Sequence, residues 1–312
     1  MSEVVLGIGA SHTTLMNTQW QRVDHLERAH CFRDALGTAR QALETSRPDL
    51  VVIVGSNHFR GFWLDLMPAF TIGVGEVVGS GEHGTPKGLL RSDAGAGLEI
   101  CNALTAVGFD MSFSTRLSVD HGISHAVQWL LPSDPPPIVP LVVNCFAPPL
   151  PSFGRCLQLG DALRGILPEI TGSKRVAVIG TGGLSHRLPF PDWRSPATED
   201  DEFFVESWRN GRGRWEEYEE RRRGLILNAP PELDEEFDRS FLAALAEGRI
   251  ASFDEQWSQD ELVARAGNGG NEIRAWLTMA AALGHVPARN LAYAAMPEWL
   301  TGMAVSLLEP TA

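Results

Sequence analysis

Val51, Val52, Ile53 and Val54 form an unbroken run of β-branched apolar residues. Such a run predicts a strand buried on both faces, as in an α/β sheet covered by helices. Gly55 and Ser56 break the run, and Asn57 and His58 follow at once. An imidazole just past the C-terminal end of a buried strand lies where open α/β sheets hold their ligands. Taken alone, His58 is more simply a core histidine with a satisfied hydrogen bond.

The pattern recurs, and recurrence changes its meaning. Residues 4–12, VVLGIGASH, are an apolar run, two glycines, then Ser11 and His12. Residues 176–186, VAVIGTGGLSH, repeat it and end on Ser185 and His186. Between them, Val119-Asp120-His121-Gly122 sets another imidazole beside a carboxylate and a turn-forming glycine. Four segments thus deliver histidines from strand ends or tight turns, and neutral imidazole serves as metal ligand, acid or base. One converging site explains the four better than four separate core histidines do.

The intervening chain fits one α/β domain over residues 1–312, with a mixed sheet flanked by helices. The site is expected at the C-terminal ends of strands finishing near residues 9, 54 and 180. Helical spacing over 21–46 (Val23, Leu26, Ala29, Phe32, Leu36, Ala39, Leu43) predicts a surface helix, closed by Arg47-Pro48-Asp49 before the strand at 50–54. Further helices are expected at 92–107, 122–131, 153–169, 234–247 and 258–266, and strands at 109–119 and 138–144. The apolar stretch 62–70, FWLDLMPAF, reads as core, oligomer contact or the wall of an aromatic ligand site. The glycine-rich stretch 71–84 reads as a turn-rich loop, with strand signal only from Thr71 to Val78. Residues 192–230 carry Trp193, Trp208, Trp215 and Tyr218 among mixed charges, including Arg221-Arg222-Arg223. They read as a solvated helical excursion, or as a lid or subunit contact.

Several function classes are disfavoured. A net charge of −13 provides no basic face for nucleic acid, and an anionic substrate would need locally placed arginines. No apolar stretch approaches the ~20 residues of a membrane span, and the N-terminus lacks a signal pattern, so a soluble cytoplasmic protein is expected. The four cysteines, Cys31, Cys101, Cys145 and Cys156, show no CxxC spacing. No GxGxxG follows the first strand, and no Lys-Ser/Thr pair follows the glycines of 71–84, which disfavours nucleotide folds.

In residues 267–279, GNGGNEIRAWLTM, Asn268 or Asn271 is placed to cap a helix starting near Glu272. Glu272 itself suits a first helical turn, but beside His12 and His58 it is the obvious carboxylate for a metal. His12 in GASH, His58 in SNHFRGFWLDLMPAF, Asp120-His121-Gly122, GTGGLSH ending at His186, NEIRAW with Glu272, and Pro297-Glu298-Trp299 recur in order and spacing in one family. By these motifs the chain resembles the class III (LigB-type) extradiol ring-cleavage dioxygenases over nearly its whole length. It departs from them at 192–230, at His125 and just after His186.

The resemblance implies a non-haem Fe(II) centre, with Mn(II) the alternative, held by His12, His58 and Glu272. It implies His186 as the base that takes a catechol proton and His121 as the acid/base of later steps. Both atoms of O2 would enter a catechol, opened next to its diol; a 3-substituted catechol such as 2,3-dihydroxyphenylpropionate is the expected substrate. Protocatechuate-, gallate- or aminophenol-type cleavage stays open, as do a zinc hydrolase on the same triad, a non-catalytic binding relative and a scaffold. Asp120 is placed to orient His121 or to cap the next turn. His125, one turn on, either supports the site from behind its ligands or lies on the surface. Arg187 and Arg60 are the candidate cations for a substrate carboxylate, and Asp120 and His125 the other candidate substrate contacts. A homo-oligomer is the expected assembly.

Overall fold

A computed structural model describes residues 3–170 and 174–310. The strands are β1 (Glu3–Ala10), β2 (Leu50–Ser56), β3 (Phe70–Ser80), β4 (Lys87–Leu90), β5 (Ser112–Val119), β6 (Ile138–Val143), β7 (Arg175–Thr181), β8 (Ala288–Met296) and β9 (Thr301–Leu308). They form one mixed sheet of order β4-β3-β6-β2-β7-β1-β9-β8, with β5 added on β3. The helices are α1 (Leu15–Thr18), α2 (Leu26–Ser46), α3 (Ala94–Ala106), α4 (His121–Leu130), α5 (Phe153–Ile170), α6 (Glu199–Asn210), α7 (Glu216–Leu227), α8 (Glu235–Ala246), α9 (Phe253–Gln256), α10 (Gln259–Ala266) and α11 (Ile273–Ala282). None of the described helices is long and apolar enough to cross a membrane.

The period-2 alternation of a strand divides its side chains between two cores. Val51 and Ile53 join Ile8, Ala177 and Ile179 in the core under α2 and α4. Val52 and Val54 join Val176 and Val178 in the core under α3, α5 and α11. Both faces being covered, β2 is buried at every residue, as its unbroken apolar run demands. On α2, Ala29, Phe32, Leu36, Ala39 and Leu43 are the buried stripe, and Arg47, in the left-handed region at φ 44°, ends the helix.

The three strands whose sequences end in histidine are neighbours, β2 and β1 each pairing in parallel with β7. Ala10 lies opposite Thr181 and Val54 opposite Gly180, so the three C-terminal ends share one rim of the sheet. The hairpin of β8 and β9 runs antiparallel beside β1. Its turn is Pro297–Trp299, where Trp299 is buried against Trp20 and Phe32, and Glu298 accepts from the backbone N–H groups of Asp24 and His25.

Two expectations need correction. The glycine-rich stretch 71–84 is mostly strand: β3 runs to Ser80 and pairs with β4, β5 and β6. Its glycines serve close packing as well as turning, for a Cβ on Gly75 would stand 2.1 Å from the carbonyl oxygen of Thr115. Nor is 192–230 merely a solvated excursion. Trp208 of α6 is fully buried and stacks on Phe59, centroids 4.3 Å apart, while α7 contributes Glu219, Arg222, Arg223 and Ile226 to the wall of a cavity at the sheet rim.

Candidate active site

That cavity is lined by His12, His58, His121, His186 and Glu272, which reach it from five places in the sequence. His12 and His58 stand two residues beyond β1 and β2, and His186 five beyond β7. His121 opens α4, which follows β5. Glu272 ends the 3₁₀ turn Gly269–Glu272 that leads into α11. This turn can descend onto the rim only because residue 269 lacks a side chain: a Cβ there would lie 2.1 Å from His186 Nε2.

His12 Nε2 lies 2.9 Å and His58 Nε2 3.3 Å from the same oxygen, Glu272 Oε1. Their other ring nitrogens are already engaged, His12 Nδ1 with the Thr181 hydroxyl at 2.9 Å and His58 Nδ1 with Asp120 at 3.2 Å. Glu272 is itself held, Oε1 accepting from Ser56 Oγ and Oε2 from the Gly183 N–H. Were both imidazoles deprotonated, as metal ligands must be, their Nε2 lone pairs would turn toward a buried carboxylate. Such a convergence of acceptors in a dry pocket is repulsive without a cation among them. The residues therefore fit the two-imidazole, one-carboxylate set that binds a divalent metal on one face and leaves other positions open. The same need shows in His58, where burial opposes protonation but Asp120 and then Glu272 push the imidazole up to about 10. Glu272 is held well below the usual carboxylate range: burial works against ionisation, and His12 and His58 overcome it.

His121 and His186 flank this set. The ring of His121 stacks on that of His58, centroids 3.9 Å apart, and its Nδ1 and backbone N–H both face Glu82 Oε1, at 2.5 and 2.9 Å. Burial, then the neighbouring His58, lower His121 to about 4 despite Glu82, so it is neutral and donates through Nδ1. His186 Nδ1 donates to the Leu184 carbonyl at 2.9 Å, leaving its Nε2 lone pair 3.8 Å from Glu272 Oε2. Burial lowers His186 as well, although Glu272 opposes the shift. Both imidazoles thus present an unprotonated nitrogen at neutral pH.

Residues 7–304 match the family model described as the catalytic LigB subunit of aromatic ring-opening dioxygenase. The chain belongs to the LigB family. It is therefore an enzyme, an extradiol ring-cleaving dioxygenase, as the motifs led us to expect. A protein of Rhodococcus jostii named 2,3-dihydroxyphenylpropionate/2,3-dihydroxicinnamic acid 1,2-dioxygenase is 32% identical over 286 residues, covering 87% of this chain and 88% of its own. Similarly named proteins of Photorhabdus laumondii and Mycolicibacterium smegmatis are 34% and 31% identical, covering 84% and 96% of this chain and 85% and 97% of theirs. A crystal structure of an uncharacterized protein from Escherichia coli K12 shares the fold, with TM-score 0.52, 12% identity, and 97% of this chain and 99% of that one covered.

Several expected site residues stand elsewhere than the sequence suggested. Asp120 orients His58 rather than His121, accepting from the His58 backbone N–H at 2.5 Å while also capping α4 through the Gly122 N–H. His121 is held instead by Glu82, a residue from the stretch that reads as loop. His125 is not on the surface but 2% exposed, its ring 6.3 Å from that of His12, and it does not line the cavity. Arg187 also lies outside the cavity, pairing with Glu232 at 2.7 Å with its side chain 40% exposed. Arg60 does line it, buried between Glu82 and Glu219 and lying over Trp215. Neither asparagine caps α11: Asn268 bonds the backbone of Leu188 and Phe190, and Asn271 accepts from Arg274 and Gln259. Glu219 and Arg222 were not legible as site residues, because only folding brings α7 over the rim.

Proposed function

We propose that this LigB-family enzyme uses Fe(II), held by His12, His58 and Glu272, to open a 3-substituted catechol such as 2,3-dihydroxyphenylpropionate. The observation that carries this reading is the approach of His12 Nε2 and His58 Nε2 to 2.9 and 3.3 Å from one oxygen of Glu272, beside His121 and His186 in one cavity. The names of the relatives support the substrate class. Bound there, Fe(II) supplies open positions for a catechol and for dioxygen, and the redox activity that spin-forbidden oxygen insertion requires.

The protein's own contribution is positioning and proton handling. His186, fixed by the Leu184 carbonyl with Nε2 free, takes a phenolic proton as the catechol binds. His121, its Nδ1–H committed to Glu82, accepts and returns protons through Nε2 as the oxygen atoms are inserted and the ring opens. Leu188, Phe190, Ile226 and Leu300 in the cavity wall exclude water and suit the aromatic ring. Two oriented bases therefore act at different moments on one bound ring.

The test is anaerobic reconstitution with Fe(II) or Mn(II), then a panel of catechols in air. A yellow hydroxymuconic semialdehyde-type product is expected, with activity following Fe(II). A muconic diacid, the product of cleavage between the hydroxyl-bearing carbons, would refute the extradiol assignment.

A further inference from the structure

We propose that Arg222 is the anchor for a carboxylate on the side chain of the catechol, so that the cavity selects acidic catechols over neutral ones. The inference rests on the ring-cleavage reading above and specifies the substrate class of the same site. Arg222 comes from α7 and is 3% exposed. It lines the cavity with His12, His58 and Glu272 and with both free imidazoles, His121 and His186. Among the described residues its Nε and Nη1 have no hydrogen-bond partner, and the Glu219 carboxylate stands 3.9 Å from Nη1, beyond hydrogen-bond reach. A guanidinium is always charged, and orphaned donors on a buried one are costly unless an anion meets them.

The other cations of this wall are already engaged. Arg60 has Glu82 3.1 Å from Nε, bonds Glu219 and the Phe59 carbonyl, and lies over Trp215. Arg223 donates to the hydroxyls of Thr14 at 3.0 Å and Thr18 at 2.5 Å. Apart from Glu272, which stands with His12 and His58, the cavity lining holds three guanidiniums (Arg60, Arg222, Arg223) and two carboxylates (Glu82, Glu219), an excess of one positive charge. A single carboxylate balances it, whereas a dianion would meet repulsion from Glu82 and Glu219. Charge-assisted hydrogen bonds from Arg222 to that carboxylate fix one end of the substrate, while the diol end lies at the imidazoles.

The experiment compares 2,3-dihydroxyphenylpropionate with 3-propylcatechol on the iron-loaded enzyme, and measures anaerobic binding of 3-phenylpropionate and 3-phenylpropanol, which lack the diol. Wild type is expected to favour the acid in kcat/KM and to bind 3-phenylpropionate in preference to the alcohol. In Arg222→Met the acid-to-neutral ratio of kcat/KM falls at least ten-fold, through KM for the acid, and affinity for 3-phenylpropionate falls by a similar factor. Arg222→Lys keeps part of the preference, because the charge survives while the planar donors do not. Wild type without preference for either acid, or Arg222→Met with the preference intact, overturns the proposal. If Arg222→Met does not fold, the wild-type preferences and Arg222→Lys decide it. If wild type cleaves no catechol, the ring-cleavage reading fails on its own, and 3-phenylpropionate binding still decides the anchor.

Discussion

At the scale of single residues, the site separates holding a metal from moving protons. On the proposed assignment, replacing His12, His58 or Glu272 by Ala removes one of three protein ligands, and iron titration should show affinity lost in each. Replacing His121 or His186 by Ala should leave iron bound and slow turnover ~10²–10⁴-fold. His186→Ala should impair conversion of the bound catechol to its anion in anaerobic spectra, whereas His121→Ala leaves that spectrum near wild type and blocks a later step. The carboxylates behind them divide in the same way. Asp120 bonds His58, so Asp120→Asn should weaken iron binding roughly 10–100-fold. Glu82 bonds His121, so Glu82→Gln should lower kcat with iron affinity retained. Iron binding lost in Glu82→Gln and unchanged in Asp120→Asn would reverse this assignment.

At the scale of elements, buried cross-links hold the rim together. Asp238 of α8 accepts from the Ser185 N–H at 2.7 Å, from Ser185 Oγ and from the Tyr293 hydroxyl of β8, joining a helix, a strand and the His186 segment. Burial raises its carboxyl from 3.8 to about 6, against those hydrogen bonds. The folded state therefore binds this proton more tightly than the unfolded chain. Asp238 costs nothing below pH ~3.8, its cost grows as pH rises toward ~6, and above that it is about 3 kcal/mol. Asp238→Asn, whose amide can accept from the Ser185 N–H and donate to the hydroxyls, should be more stable than wild type at pH 8, the gain shrinking toward pH 4 in urea titrations. A gain independent of pH would exclude this origin. Trp208, stacked at an interplanar angle of 8° on Phe59, itself at φ 61° beside His58, ties α6 to the ligand segment. Trp208→Ala should cost about 3–5 kcal/mol, read as a lower urea midpoint.

At the scale of the whole molecule, the proposed metal site is where the two halves of the chain meet, β1 and β2 with β7 and α11. A cation there relieves repulsion among buried acceptors, so binding and folding are coupled. Chelation should lower Tm and added Fe(II) restore it, while Glu272→Ala should lose that response; an equal Tm with and without metal would contradict it. The strands β1, β2, β6 and β7 and the histidines beyond three of them were legible because burial on both faces demands apolar runs, and glycines and polar residues mark where burial stops; β4 and the β8–β9 hairpin were not read from the sequence. His12, His58, His121, His186 and Glu272 could be singled out because each stands beside such a boundary. The partners of these residues were not legible. Glu82 lies in a stretch whose glycines resemble turns but pack against neighbouring strands, and Asp120 sits beside His121 in sequence yet bonds His58 across the sheet. Arg222 is one of three consecutive arginines, and nothing local distinguishes it. Its burial follows from the way α7 lies over the rim. Strand and turn patterns are local consequences of solvent exclusion, whereas the match of charges in a buried cavity depends on distances between remote segments, which exist only once the chain has folded.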